Sequence, residues 1–115
     1  MTVDNPRVIE FVTSDPLSGA VSLVMVEHRE WGDTGELLPE LREKLNTYFE
    51  YVESGQLIAD FPDVVGRPIA FVLKHIHELG PREREFIRIV VHQHLLPASI
   101  GWKHEQLGRD SVELN

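Results

Sequence analysis

The chain contains no cysteine. That removes thiol catalysis, thiolate-bound zinc and disulfide staples together. Secreted domains of this size commonly rely on such staples, so a reducing, cytoplasmic compartment is expected. No apolar run approaches the roughly 20 residues of a membrane span. Met1-Thr2-Val3-Asp4-Asn5-Pro6 carries neither a basic n-region nor an apolar h-region, so no signal peptide is expected. Basic residues are scarce: 11 Lys and Arg stand against 19 Asp and Glu, for a formal net charge of -8. There is no Lys/Arg stripe with interleaved aromatics. This balance disfavours nucleic acid and anionic membrane as partners. Also missing are the GxxxxGK and GxGxxG phosphate loops, HExxH, and a GxSxG elbow around any serine. Nucleotide hydrolysis, dinucleotide redox chemistry and serine-triad catalysis are therefore poorly supported, and no residue is assigned a catalytic role.

What is present is a core. With 42% hydrophobic residues in 115, the chain suits one folded domain and is too short for two ordinary ones. The expected division is a single domain over 1–97 and a partly ordered tail over 98–115.

Residues 7–13 (RVIEFVT) and 20–28 (AVSLVMVEH) are rich in β-branched side chains and predict two strands. Between them lies turn chemistry, with Asp15, Pro16, Ser18 and Gly19. Leu38, Leu41, Leu45, Tyr48 and Val52 then step by three and four, the stripe of an amphipathic helix. Pro39 fits its first turn, and Gly55 sits where a glycine ends a helix near Ser54. Glu40 and Lys44 are spaced for an i, i+4 pair on the outer face. Residues 69–77 and 81–96 each fit both a strand and a helix, and periodicity alone does not separate the two.

Several of these residues carry a resemblance. Glu27-His28-Arg29-Glu30-Trp31 places an acidic residue and His before Trp. Lys44-Leu45-Asn46-Thr47-Tyr48 runs on into Glu53-Ser54-Gly55-Gln56-Leu57, and then comes Phe61-Pro62-Asp63. The combination over roughly residues 5–75 resembles a family of small uncharacterised bacterial proteins, a domain of unknown function. The resemblance implies an order β-β-α-β-α, hence a strand at 69–77 and a helix from about 81. The expected class is α+β, a small antiparallel sheet packed against helices, with β-β-α-β-β as the alternative because Phe86-Ile87-Arg88-Ile89-Val90-Val91 has strand composition.

Two candidate sites follow. His75-Ile76-His77 and His92-Gln93-His94 are paired HxH patterns. On a strand, alternate residues share a face. Two such strands paired antiparallel would converge His75, His77, His92 and His94 on zinc or another divalent transition metal, with His28 or His104 as outliers. In a helix the second pair points roughly 200° apart and the site dissolves. Imidazoles at element ends are the commoner outcome. The second candidate is a ligand or partner groove beside the helix, lined by His28, Trp31, Arg42 and Asn46. Its bland counterpart is a solvated i, i+4 ladder with Trp31 as a core anchor. Asp60 and Asp63, flanking Phe61-Pro62, read as turn residues.

Function is not legible from these features. The leading expectation is a small cytoplasmic protein-interaction or regulatory module without a cofactor, binding a protein partner or a second copy of itself. The alternative is a metal-binding protein or metal-dependent enzyme built on the paired histidines.

Overall fold

The computed structural model describes residues 11–32 and 37–107. In chain order these form β1 (Phe11–Ser14), β2 (Val21–Glu27), α1 (Leu38–Glu53), α2 (Gln56–Asp60), β3 (Ile69–His75), α3 (Pro81–Val90) and β4 (Ile100–Gln106). A 3-10 turn, Pro62–Val64, precedes β3, and a π-helical turn, Val91–Leu95, continues α3. The class is α+β, with the β-β-α-β-α order followed by one more strand. Part of the strand expected over 7–13, and residues 108–115 of the expected tail, lie outside the described residues.

The sheet runs β1-β2-β3-β4. Only β1 and β2 are antiparallel; β2–β3 and β3–β4 are parallel. This corrects the expected antiparallel sheet. Antiparallel neighbours accept a tight hairpin, whereas parallel neighbours need a crossover, and α1 and α3 are the two crossovers. The β-β-α-β-β alternative fails because 81–90 is helical. Residues 100–106, expected in the tail, instead pair with β3 along its whole length.

Local chemistry explains the elements. At the hairpin, Asp15 accepts the Leu17 N–H and the Ser18 hydroxyl, both at 2.9 Å. These two bonds, the Leu17 one first, hold the Asp15 carboxyl below its ordinary pKa. Gly55 adopts φ 85° after α1, the left-handed conformation a helix end favours. Pro81 opens α3 at a position where a missing N–H costs nothing.

Register places side chains in rows across the helix-covered face. Leu23 lies beside Phe71, and Phe71 beside Trp102; next come Met25, Leu73 and His104; then Glu27, His75 and Gln106. The first two rows are buried at Leu23, Phe71, Met25 and Leu73, against Leu41, Leu45 and Tyr48 of α1 and Ile87 of α3. Tyr48 stands edge-on to Phe71 at 5.8 Å and donates its hydroxyl to the Val24 carbonyl at 2.9 Å. Burial raises the pKa of this phenol. The third row is polar and closes the carboxyl end of the parallel strands.

Lys44 departs from expectation. It lies on the buried side of α1, fully inaccessible, with its ammonium 5.3 Å from the Tyr48 ring centroid. Its spacing explains this, since 44 falls three after Leu41 and four before Tyr48. Glu40 turns instead to Arg29, at 3.2 Å.

Candidate functional site

Helices α1 and α3 cover the same sheet face without closing over it. The space between them is a groove with two adjoining hollows of about 420 and 470 Å3. Arg42, Asn46 and Phe86 line both hollows and so join them into one channel. From α1 the wall carries Leu38, Arg42, Leu45, Asn46 and Phe49; from α3 and its π turn it carries Phe86, Ile89, Val90, Gln93 and His94. Phe49 and Phe86 are half-buried, and Ile89 is 39% exposed. Apolar walls with a few polar groups are the common composition of a recognition groove.

Of the four residues expected at a groove, Arg42 and Asn46 lie in it. Trp31 does not line either hollow. It is 3% exposed, and its indole N–H donates to the His77 carbonyl at 3.2 Å, which makes it a packing anchor. His28 is exposed just beyond β2. The opposite wall went unassigned in the sequence because 81–96 was ambiguous. Once that segment is helical, Phe86, Ile89, Val90 and Gln93 fall on one arc by their spacing of three and four.

The four-histidine arrangement does not form. Its condition was a strand through 86–94, and this stretch is α3 and the π turn. His94 lines the α1 side of α3 and His92 the opposite side, toward β4. Among the described residues no group of three or more His, Asp or Glu is placed to hold a metal ion.

A second polar region lies at the carboxyl end of the parallel strands, where open sheets with helical crossovers commonly bind ligands. Fully buried Glu27 accepts the Arg29 backbone N–H at 3.1 Å, Nε at 3.0 Å and Nη2 at 2.6 Å. His75 is 3% exposed; its Nδ1 lies 2.8 Å from the His77 carbonyl, and its Nε2 has no partner among the described residues. Glu83, 2% exposed, accepts the Gly80 N–H through Oε1 at 3.0 Å. Its Oε2 is likewise without a partner among the described residues.

Fold and groove together define a small α+β domain with an open channel between two crossover helices. The chain belongs to DUF6572, a family of unknown function, whose model matches residues 1–106. No curated protein and no solved structure matches it. Among the described residues no helix is long and apolar enough to cross a membrane.

Proposed function

We propose that the domain is a cytoplasmic protein-interaction module and that the α1–α3 groove receives an amphipathic helix from a protein partner. The observation that carries this reading is the continuous channel walled by half-buried Phe49 and Phe86 and exposed Ile89. Between Leu38 and Phe49 the channel follows α1 for about 17 Å at 1.5 Å per residue. That length suits about three turns of a docked helix, whose i, i+3, i+4 and i+7 side chains would enter the groove. The net charge of -8 favours a partner with basic flanks, through steering of the encounter. The absence of cysteine supports the compartment.

The test is selection of binders from a displayed library of short helical peptides, followed by mapping of amide chemical shifts. Selected peptides are expected to share an apolar stripe, to shift residues of both groove walls, and to lose at least about tenfold in affinity with Ile89→Glu. Ile89 is exposed enough for this change to leave the fold intact. Peptides that map elsewhere, or bind Ile89→Glu as they bind the parent, sink the reading.

A further inference from the structure

Helix α3 has a second cleft on its other side, against β4. A pocket of about 170 Å3 is lined by His75, Glu78, Leu79, Arg84, His104 and Gln106. It adjoins a more apolar hollow of about 250 Å3, to which Ile87, Val91 and Trp102 contribute together with Arg88 and His92. Arg84 and His104 line both spaces and sit where the two meet. In a chain with 19 acidic residues, this cleft gathers Arg84, Arg88, His75, His92 and His104.

Buried His75 and exposed His104 have complementary hydrogen-bonding states. His75 Nδ1 faces the His77 carbonyl, so in the neutral ring Nδ1 carries the proton and Nε2 is an acceptor. That Nε2 is buried and has no partner among the described residues, which leaves one acceptor unsatisfied on a residue that lines the pocket. His104 is the reverse. Its Nδ1 accepts the Trp102 indole N–H at 3.1 Å, so its proton resides on Nε2, a donor. The two rings are 6.0 Å apart, and Arg84 supplies a fixed positive charge beside them.

We propose that this cleft binds a small organic carboxylate bearing a hydroxyl group. The carboxylate sits against Arg84 and His104, the hydroxyl donates to His75 Nε2, and the carbon body lies over Ile87, Val91 and Trp102. A hydroxyl suits the acceptor better than an ammonium, which would face the Arg84 guanidinium. Glu78 holds Arg84 at 3.2 Å, but the two side chains are 75% and 61% exposed. A pair so exposed is held weakly, and a ligand carboxylate can replace it. Of the nearby carboxylates, Glu85 is paired with Arg88, and neither Glu85 nor Glu83 lines the cleft.

Mandelate, phenylacetate and benzyl alcohol separate the requirements, because phenylacetate lacks only the hydroxyl and benzyl alcohol only the carboxylate. Each is titrated into the intact protein while the histidine ring signals are followed by NMR. Mandelate is expected to saturate the His75 and His104 shifts. Phenylacetate should bind about tenfold more weakly, since a buried acceptor is then left unpaired, and benzyl alcohol should move neither ring. Arg84→Gln, a change at an exposed position, should weaken mandelate about tenfold, with the amide spectrum otherwise unchanged. Equal affinity for mandelate and phenylacetate, or no ring shift by about 10 mM ligand, overturns the proposal. A His75 Nε2–H tautomer in the ligand-free protein overturns it without reference to any ligand.

Discussion

Glu27→Gln tests the polar row at the carboxyl end of the sheet. The substitution preserves shape and removes the charge that three donors of Arg29 address, its backbone N–H, Nε and Nη2. Hydrogen bonds to a charged group contribute about 1.5–3 kcal/mol each in net terms, and breaking a wholly buried pair costs about 3–5 kcal/mol. Here only the acid is wholly buried; the Arg29 side chain is 32% exposed and keeps Glu40 at 3.2 Å. It recovers some hydration, which places the expected loss near 2 kcal/mol. With a urea m-value of about 1.5 kcal/mol/M, the unfolding midpoint should fall by about 1.3 M. Circular dichroism in a urea series measures this directly. Glu40→Gln is the internal comparison, because its contact is single and exposed, and it should cost less than about 0.5 kcal/mol. A double-mutant cycle of Glu27→Gln with Arg29→Ala should return a coupling above about 1 kcal/mol. If Glu27→Gln unfolds within about 0.5 kcal/mol of the parent, burial of this carboxylate is not stabilised in the way described.

Tyr48→Phe removes one buried hydroxyl bond to the Val24 carbonyl; about 1 kcal/mol, or a drop of roughly 3–6 °C in Tm, is expected, and an unchanged melting curve contradicts it. Gly80→Ala puts a Cβ 2.5 Å from Glu83 Oε1, so the buried carboxylate must leave the Gly80 N–H at about 1–2 kcal/mol. In a Glu83→Ala background the same change should cost clearly less, and strict additivity in denaturant unfolding counts against the clash. His104 is held below its ordinary pKa of 6.5 by burial first, then by electrostatic repulsion from His75 and Arg84 as it takes up a proton. Its unfolded form therefore binds a proton more readily. The associated stability is fully present above about pH 6.5 and is lost as pH falls through the depressed folded value. Thermal melts should show a shallow decline from pH 7 downward that flattens in His104→Gln; an equal slope in that variant removes His104 as its source.

Elements with a strong local signature were legible. The stripe from Leu38 to Val52 and the glycine after it gave α1 nearly to the residue, because spacing, first-turn proline and left-handed stop agree. Sheet direction was not legible in the same way. It is decided by where a strand returns, and β4 (IGWKHEQ) hides its strand character: only Ile100 is buried, and the strand is largely exposed beyond it. The β-branched run from Phe86 to Val91 became helix because tertiary context overrode propensity. A parallel β3–β4 pair demands a crossover, and Ile87 fills the core from the helical position.

The histidine pattern shows the same division between local and non-local information. His75 shares the buried face of β3 with Phe71 and Leu73, against the expectation of an imidazole at or near the surface, and β3 ends there. The chain then turns, and His77 offers its backbone carbonyl to Trp31 and His75. His92 and His94 were separated by the helix that carries them. The imidazole that the sheet does bring to His75 is His104, one of the two outliers expected from the sequence, because β4 pairs parallel with β3 and sets His104 beside Leu73, one row from His75. The second strand that the four-histidine reading required, 86–94, is helix, so that convergence does not form. With no third ligand among the described residues, a Nδ1–H ring beside a Nε2–H ring makes an acceptor and a donor rather than a metal cage. The ligand proposed for the α3–β4 cleft uses this pairing, giving a proton to one ring and a charge to the other.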